Sequence, residues 1–512
     1  MSTVVDDVVE VVEPQFGFIS LSANSRAPVL LALDIGSSGV RAALFDEQGL
    51  EIDGASVRCG YGSASLDFAT FDADTLLERV AQTIDELFAT FTSSSVRIEL
   101  IAVSCFWHSL VGVDAAGCAI TPIFGWADSR AAGEILRLRS EFDEAKTHAR
   151  TGCRFHQSYW PAKLRWLQAD KPRVLEDTKC WLSFADYLTL QLFGETVTSV
   201  SMASGTGLLN QRTCAWDSEL LQAAAVTADS LPAIAEPGQS FRNLTPAYGM
   251  RWPQLSDARL YPAIGDGAAN SIGSGCNTVE KLALMIGTSG AMRVCFTGDV
   301  PTQLPPELWC YRVDRNRVVI GGALSDGGGL YHLLKESLLP GQDSQEIEEE
   351  LSLLGAAAHG LTVLPFWAGE RSTGWNPEAH GVVLGLSLQT RPIEILRAAM
   401  EAIAYRFALI ARALEPFAPA ATLVASGHAL RSSPTWVQIL ADVLGRRVLL
   451  PEPSESSLRG AALLALEAAG KIQSIEDFIL PVEFACEPNV ASGLRYQQAL
   501  DRQERIYRKL FS

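Results

Sequence analysis

The chain has 512 residues, of which 48% are hydrophobic, and it carries a formal net charge of -18. That length is sufficient for two domains, each with its own core. The acidic balance excludes the positive field that attracts a polyanion, so we predict no nucleic-acid partner.

Residues 1–27 predict a mobile acidic extension. Asp6, Asp7, Glu10 and Glu13 stand where a secretory leader would need positive charge followed by an apolar core. No later window has the roughly 18 consecutive apolar residues that a membrane span needs. The ten cysteines form no C-x-x-C pair, which is typical of reduced thiols rather than of a zinc or redox site. We therefore predict a cytoplasmic protein without a membrane partner.

Residues 29–57 predict a meander of three strands. The apolar runs VLLALD and VRAALFD are joined by IGSSG, and a further strand follows the turn EQG. The segment at 73–91 has apolar residues at helical spacing, and a buried strand is predicted from Glu99. This order differs from that of a dinucleotide-binding domain, where a helix follows the first glycine turn. The alternation of strands and helices along the chain predicts an α/β fold.

The IGSSG turn has the chemistry of a phosphate site. Small side chains let an anion approach the backbone near Gly36, and the hydroxyls of Ser37 and Ser38 can donate hydrogen bonds to phosphate oxygens. Arg41 adds positive charge. Asp34, at the end of its strand, is a candidate ligand for Mg2+. An ordinary glycine-serine turn beside an exposed acid explains the same residues equally well.

The same pattern recurs near the middle of the chain. LALMIGTSGAMRVCF, at 282–296, again places a small-residue turn between two apolar strands, with Gly287, Thr288 and Ser289 in the turn. A second copy at about half the chain length indicates a duplicated domain rather than a solenoid. Two such lobes would hold a nucleotide in the cleft between them.

The second half also contains two long helical patterns. IEILRAAMEAIAYRFALIARALEPF and WVQILADVLG are each apolar on one face. No low-complexity linker separates the halves. We place the boundary near Asp257 to Ile264, which predicts lobes at 28–262 and 263–512.

Seven short segments together carry a more specific signal. They are DIGSSGVR, WHSLVGVDAAGCAITPIFGWADSR, GDGAANSIGSG, IGTSGAMR, GGALSDGGGLYHLL, AGERSTGWNP and ASGHALRSSPTWVQILADVLG. In this order they resemble the FGGY family of carbohydrate kinases, over about Val29 to Gly470. The resemblance implies two ribonuclease-H-like lobes of the actin and hexokinase type, with the active site in the cleft between them. It also implies ATP and Mg2+ as cofactors and a small polyol, ketose or aldonate as the substrate.

The resemblance assigns the catalytic role to Asp266. A sugar hydroxyl becomes a good nucleophile only when a base takes its proton, and a carboxylate at the floor of a cleft can do so. The same carboxylate is a candidate metal ligand, and the flanking Gly265 and Gly267 would let a substrate approach. Without the resemblance, an aspartate in a glycine-rich turn is the simpler interpretation.

Substrate contacts are implied in the first lobe. Trp107 and His108 match the family's sugar-binding pair, since an indole can cover a sugar face and an imidazole can bond a hydroxyl or a carboxylate. Core packing is the alternative for this pair. Asp128 and Arg130, in WADSR, either orient the substrate or brace the site by an ion pair. His156 could reach an anionic substrate, although a polar lobe surface is an equally good interpretation.

Two further segments imply an adenosine site in the second lobe. Gly328 resembles a glycine that the nucleotide approaches, and Gly427 with Ala429 resembles the adenosine-binding turn. His428 stands where most relatives carry a glycine, and it either stacks on adenine or only fills space. The AGERSTGWNP segment, at 368–377, is predicted to fix the connection between the lobes rather than to act in catalysis.

Within the family, the segments WHSLVGVD, WADSR and AGERSTGWNP most resemble gluconate kinases. They imply phosphorylation of D-gluconate to 6-phosphogluconate, with Arg154, His156 or Lys163 as the cation near the substrate carboxylate. A pentulose kinase such as a xylulokinase would use the same framework. A non-catalytic sensor of ATP and sugar is the alternative from another class, and the presence of Asp34 and Asp266 argues against it. Family analogy also allows a homodimer.

Overall fold

The computed structural model of the chain describes residues 29–36, 38–61, 70–91, 97–452 and 455–511. The predicted extension at 1–27 lies outside the described residues. So does Ser37, the predicted phosphate ligand of the first turn.

The strands are short to medium in length and are spread along the chain. They are β1 Leu30–Gly36, β2 Gly39–Phe45, β3 Glu51–Gly60, β4 Thr70–Phe71, β5 Leu100–Cys105, β6 Val111–Val113, β7 Ile123–Phe124, β8 Cys180–Leu182, β9 Val197–Thr198, β10 Leu209–Asn210, β11 Ala215–Trp216, β12 Ala233–Ile234, β13 Arg259–Leu260, β14 Ile264–Gly265, β15 Lys281–Ile286, β16 Gly290–Thr297, β17 Trp309–Arg312, β18 Arg317–Leu324, β19 Thr362–Leu364, β20 Val382–Leu384, β21 Thr422–Ser426, β22 Val448–Pro451 and β23 Val482–Cys486.

Helices lie between these strands. They are α1 Ala73–Thr90, α2 Ala132–Glu141, α3 Glu144–Thr151, α4 Trp160–Asp170, α5 Pro172–Asp177, α6 Phe184–Phe193, α7 Val200–Ser204, α8 Ser218–Ala223, α9 Pro246–Arg251, α10 Asp266–Gly273, α11 Gly328–Leu338, α12 Ser344–Leu353, α13 Pro392–Leu414, α14 His428–Arg431, α15 Pro434–Leu444, α16 Ser456–Ala468 and α17 Val490–Phe511. Short 3-10 turns occur at Ala228–Ser230, Pro253–Leu255 and Ile475–Asp477.

Local sequence explains where the principal elements lie. β1 is a nearly continuous apolar run because both of its faces are buried, as is typical of a central strand covered by helices. α1 begins after Asp72, whose side chain accepts a hydrogen bond from the Thr75 amide. α13 begins with Pro392, which has no amide proton to leave unpaired at the first helical position.

The first lobe is built on a mixed sheet of six strands. β1, β2 and β3 form an antiparallel meander, and β5 joins the other side of β1 in parallel. β13 and β14 also pair with β5 in parallel. In the register of β1 with β2, Asp34 lies opposite Arg41. The strands and the helix predicted between residues 29 and 105 are confirmed as β1, β2, β3, α1 and β5.

The second lobe repeats this arrangement in a sheet of seven strands. β15, β16 and β18 form the antiparallel meander, and β21 joins β15 in parallel, as β5 joins β1. β17 lies at one edge, and β22 with β23 completes the other. The two long helical patterns of the second half occur as α13 and α15. The α/β prediction with two related lobes is confirmed.

Two helices that follow residue 262 pack with the first lobe. α16 lies against β1 and β5, and α10 crosses α16 at close range. Gly273 and Gly460 permit this crossing, because a Cβ on either would collide with a backbone carbonyl of the other helix. Trp309 and Tyr311 of β17 join the same core as α16, so the apolar interior continues from one lobe to the other. The lobe boundary at 262 stays a prediction.

Gly460→Ala is expected to destabilise the protein, although alanine is the better helix former by about 1 kcal/mol. The new methyl group would collide with the Ala269 carbonyl of α10, at a cost of about 2 kcal/mol or more. Gly133→Ala, on an exposed position of α2 with no atom near the added Cβ, is the matched control and should be neutral or stabilising. Thermal unfolding followed by circular dichroism measures both, and an unchanged Tm for Gly460→Ala would contradict this packing.

None of the helices in the described ranges has the length and apolar character that a bilayer span requires. All ten cysteines are free thiols, and most are buried, in agreement with the prediction. The cytoplasmic location and the homodimer stay predictions.

Candidate active site

Asp266 lies where the two lobes meet. It is the first residue of α10 and directly follows β14, whose pairing with the end of β5 places it at one edge of the first sheet. The side chain is partly exposed, and its Oδ1 accepts a hydrogen bond from the Gly267 amide at 2.8 Å. The carboxyl is therefore fixed in orientation but open to a small molecule.

The pKa of Asp266 is raised to about 6. Burial is the largest cause, the positive charge of Arg293 opposes it, and the negative charge of Asp34 adds to it. Asp34 and Asp266 are thus close enough to repel, so the first hairpin strand ends near the start of α10. A carboxylate that is ionised at pH 7, but more basic than an ordinary aspartate, suits a general base.

Trp107 supports the backbone on both sides of Asp266. Its indole packs on Gly265 and Gly267, where a Cβ would collide with the ring. Its Nε1 donates to the Ser201 carbonyl at 3.0 Å. The side chain is only 5% exposed. These contacts make Trp107 a support for the acid, and its role in binding sugar stays a prediction.

His108 has a defined tautomer. Its Nδ1 lies 2.5 Å from the Gly205 carbonyl, and because a carbonyl only accepts, Nδ1 carries the proton. Burial and then the positive charge of Arg371 hold the pKa of His108 well below its usual value, so the ring is neutral. Nε2 is left as an acceptor. It can receive a hydrogen bond from a sugar hydroxyl, but it cannot donate one to a carboxylate.

The first turn is narrow and partly exposed. Gly36 pairs with Gly39 across it, and a Cβ on Gly39 would lie 2.6 Å from the Cys59 carbonyl. The Tyr61 hydroxyl donates to the Gly36 carbonyl at 2.7 Å, while Ser38 is exposed. The described residues on either side of Ser37, Gly36 and Ser38, are therefore accessible to solvent, as a phosphate site requires.

Asp34 and Arg41 form an ion pair below this turn. Arg41 Nη1 donates to Asp34 Oδ2 and the Ser104 hydroxyl donates to Asp34 Oδ1, each at 2.8 Å. Arg41 Nε also lies 3.3 Å from a carboxylate oxygen of Glu455, just before α16. The charge of Arg41 is thus shared between two carboxylates, and its contact with phosphate stays a prediction.

The second turn is held by the glycine-rich start of α11. The amides of Gly328 and Gly329 donate to the carbonyls of Gly287 and Thr288, at 2.7 and 2.9 Å. Thr288 is exposed and Ser289 is partly exposed. The predicted phosphate turn and the predicted nucleotide glycine are therefore in direct contact.

The predicted adenosine turn adjoins these two segments. Gly427 has a φ of 103°, which favours glycine, and a Cβ there would collide with the Ile286 carbonyl. A Cβ on Gly328 would lie 2.9 Å from that of Ala429. His428 is exposed beside them. The structure thus brings together the nucleotide-binding segments predicted in the second lobe.

Two family models match the chain. The N-terminal domain of the FGGY family of carbohydrate kinases matches residues 29–269, and the C-terminal domain matches residues 282–469. The chain belongs to the FGGY family of carbohydrate kinases. It is therefore a phosphotransferase that acts on a small sugar substrate, and the prediction of an enzyme is confirmed over that of a non-catalytic sensor.

This FGGY kinase is similar to relatives with two kinds of substrate. A gluconokinase of Bacillus subtilis is 28% identical over 466 residues, which cover 87% of this chain and 89% of the relative. The crystal structure of a gluconate kinase from Lactobacillus acidophilus matches with a TM-score of 0.86 and 25% identity, over 94% of this chain and 98% of that one. A ligand-bound xylulose kinase from the same organism has a TM-score of 0.85, with the same identity and coverage.

Asp128 and Arg130 of this kinase form an ion pair. Arg130 Nη2 donates to Asp128 Oδ2 at 2.5 Å, and the Arg130 amide donates to Asp128 Oδ1 at 3.0 Å. The guanidinium also lies over the rings of Phe124 and Trp166, 5.1 and 4.8 Å from their centroids. This geometry favours the bracing alternative, and a substrate contact by either residue stays a prediction.

His156 is buried among protein partners from both lobes. Its Nδ1 accepts from the Ser158 amide at 3.2 Å, and its ring lies edge-on to that of Trp375, with the centroids 5.5 Å apart. Burial, together with the charge of Arg371, lowers the pKa of His156 to about 3. The ring is therefore neutral and joins the two lobes, and its predicted contact with an anionic substrate gains no support from this geometry.

The other two cations considered for a substrate carboxylate also have partners. Arg154 pairs with Glu144 at 2.6 Å. Lys163 donates to the carbonyls of His108 and Phe124, at 2.6 and 3.0 Å, and burial lowers its pKa to about 7. Lys163 supports the backbone beneath the site instead of reaching into it.

The AGERSTGWNP segment divides into two kinds of contact. Glu370 is fully buried and accepts from Arg406 and Tyr507, each at 2.6 Å, which fits a structural connection. Arg371 differs, because its Nε is buried without a hydrogen-bond partner among the described residues. Its guanidinium lies 5.8 Å from the ring centroid of Trp126, in the first lobe.

Sequence reasoning missed Arg293. It is 6% exposed, and its Nε and Nη1 have no hydrogen-bond partner within the described part of the chain. A Cβ on Gly267 would lie 3.0 Å from Arg293 Nε, so the guanidinium is beside Asp266. The sequence does contain a signal for this residue, a single arginine in the otherwise apolar strand GAMRVCF. Burying such a charge is costly unless it has a partner or a ligand.

Asp34 and Asp266 fit a magnesium ion that is shared with phosphate oxygens. Mg2+ commonly takes one or two carboxylates and keeps several waters. Each Asp34 oxygen accepts one hydrogen bond and keeps a second lone pair. Across the described ranges no group of three or more His, Cys, Asp or Glu could hold a metal ion. The two carboxylates therefore suit an ion that arrives with its nucleotide.

The raised pKa of Asp266 predicts an acid limb in the pH profile. The base must be ionised, so kcat/KM for the sugar should fall as the pH drops through about 6. Bound phosphate adds negative charge, which would move the limb upward. An ADP-release assay from pH 5 to 9 with excess Mg2+ measures it, with a thermal melt at each pH to exclude unfolding. A profile that stays flat down to pH 5 would contradict the assignment.

Proposed function

We propose that this kinase transfers the γ-phosphoryl group of ATP to the terminal hydroxyl of D-gluconate, giving 6-phosphogluconate and ADP. The observation that carries the proposal is the position of Asp266, a partly exposed carboxyl with a raised pKa between Asp34 of the first hairpin and the Trp107–His108 segment. The similarity to two gluconate-phosphorylating relatives supports D-gluconate as the substrate.

ATP would lie along the two small-residue turns. The partly exposed turns at Gly36 and Gly287 would hold the phosphates, and the neighbouring segments at Gly328, Gly427 and Ala429 would hold the adenosine. When bound through Asp34 and Asp266, Mg2+ would neutralise phosphate charge. The protein's own contribution is then mainly positioning and electrostatics.

Asp266 acts as the proton acceptor. As the sugar oxygen forms its bond to the γ-phosphorus, the bond from phosphorus to the β–γ bridging oxygen breaks, and the hydroxyl proton passes to the Asp266 carboxylate. The hydrogen bond from the Gly267 amide keeps that carboxylate in a fixed orientation. His108 Nε2 accepts a hydrogen bond from another substrate hydroxyl and so helps to set which hydroxyl reaches the base.

The substrate is tested with a coupled ADP-release assay over D-gluconate, D-xylulose, D-ribulose and glycerol. D-Gluconate should give the highest kcat/KM, and mass spectrometry should find the added phosphate on it. The Asp266→Asn protein, purified in parallel, controls for a contaminating kinase. ADP release with a pentulose and none with D-gluconate would mean that the substrate is a ketose. The similarity to the xylulose kinase is consistent with that outcome. No product from any of the four would overturn the proposed reaction.

A further inference from the structure

Arg293 lies on the face of the second sheet that is turned toward the first lobe. Its neighbours Met292 and Val294 belong to the second core, whereas Cys295 belongs to the core shared with the first lobe. Because side chains alternate along a strand, Arg293 faces the same way as Cys295. It pairs across the sheet with Gly321, whose missing side chain leaves room for the long arginine stem.

The charge of Arg293 is poorly compensated. Burial lowers its pKa to about 10, Asp266 acts in the opposite direction, and the positive charge of Arg371 adds to the lowering. No ion pair joins Arg293 or Arg371 to an acid within the described residues. Two acids of the same region have other partners, since Glu370 pairs with Arg406 and Asp128 pairs with Arg130.

The two guanidinium groups lie toward the sugar side of the cleft. The rings of His108 and His156 lie 5.0 and 6.4 Å from that of Tyr159, centroid to centroid. The charge of Arg371 lowers the pKa of both histidines and of Arg293, so Arg371 lies near all three. The first phosphate turn has a separate arginine, Arg41, which is already paired with Asp34. The unpaired positive charge is therefore on the side where the sugar would lie.

We infer that Arg293 and Arg371 together bind the carboxylate of an aldonate substrate, an inference that rests on the proposed function. A guanidinium and a carboxylate form strong charge-assisted hydrogen bonds, and Arg293 Nε, Arg293 Nη1 and Arg371 Nε have no hydrogen-bond partner among the described residues. His108 cannot take this role, because its neutral ring presents only an acceptor. These two arginines replace Arg154, His156 and Lys163 as the cations that select an acid.

Such a carboxylate site would make the enzyme prefer an acid to a neutral sugar. A ligand without the carboxylate would leave a desolvated guanidinium unpaired, and sites built around such a polar contact reject ligands that lack it by large factors. We expect wild-type protein to prefer D-gluconate to the neutral, near-isosteric D-gluconamide by about 100-fold or more in kcat/KM.

The test compares these two ligands in wild-type protein, Arg293→Gln and Arg371→Gln. Both variants should lose most of the gluconate preference, with a raised Kd for gluconate by calorimetry without nucleotide and little change for gluconamide. Arg293→Lys keeps the charge and should recover part of the preference. Arg317→Gln is the matched control, because this arginine of the neighbouring strand β18 is fully paired with Asp314 and Glu467 and should keep the wild-type ratio.

The outcomes separate the inference from the proposed function. Wild-type protein that phosphorylates gluconate, together with Arg293→Gln and Arg371→Gln variants that keep the full gluconate preference, would overturn the inference alone. An equal loss of kcat on both ligands with unchanged Kd would also overturn it, since Arg293 would then act on the phosphoryl group. If the wild-type protein turns over only pentuloses, D-gluconate is overturned as the proposed substrate.

Discussion

Asp266→Asn is expected to lower kcat by about 1,000-fold or more, because a general base contributes roughly 100- to 10,000-fold and asparagine cannot accept the proton. The fold should survive, since the amide oxygen of asparagine can still accept the hydrogen bond from the Gly267 amide. Single-turnover phosphoryl transfer measures the loss, and calorimetry with ADP and D-gluconate should show ligand binding close to that of the wild-type protein. A kcat within tenfold of wild type would remove Asp266 from the role of base.

The same substitution should not destabilise the protein at pH 8. The pKa of Asp266 in the folded chain, about 6, exceeds the ordinary value, so protonation favours the folded state and this contribution is lost as the pH rises through 6. A neutral asparagine avoids that loss, so the Tm of the Asp266→Asn variant at pH 8 should equal or exceed that of the wild-type protein. Asp442→Asn, a buried acid of α15 away from the cleft, is the matched control and should leave kcat unchanged.

The sequence predicted most of the framework of the site. The two hairpins are visible because each depends on local pattern, an apolar run, a small-residue turn and a second apolar run. The nucleotide segments near Gly287, Gly328 and Gly427 were found as separate motifs, and the structure adds that α11 and the adenosine turn both abut the second turn. Their meeting depends on β21 pairing with β15, a contact between distant parts of the chain.

The substrate side was harder to predict for the same physical reason. The tautomer of His108 is set by the Gly205 carbonyl, 97 residues away, and the partners of Lys163 are backbone carbonyls that have no sequence signature. Which arginine stays unpaired is also a property of the folded chain. Arg154 forms an ion pair with Glu144, whereas among the described residues no ion pair joins Arg293 to an acid.

Gly427→Ala is expected to raise KM for ATP by about tenfold or more, with a smaller effect on the Kd for sugar. The residue has a φ of 103°, and an added Cβ would collide with the Ile286 carbonyl at the end of β15, so the adenosine turn must move away from the second phosphate turn. ADP calorimetry and steady-state kinetics with ATP measure the effect.

Gly445→Ala separates this displacement from simple backbone strain. Gly445 also has a positive φ, 61°, but it ends α15 at an exposed position where an added Cβ meets no atom within 4 Å. Its substitution should cost about 1 kcal/mol of stability through strain alone and leave KM for ATP unchanged. An equal rise in KM for both variants would mean that lost stability, rather than the position of the Gly427 turn, controls nucleotide binding. A KM for Gly427→Ala close to that of wild type would remove this turn from the proposed adenosine site.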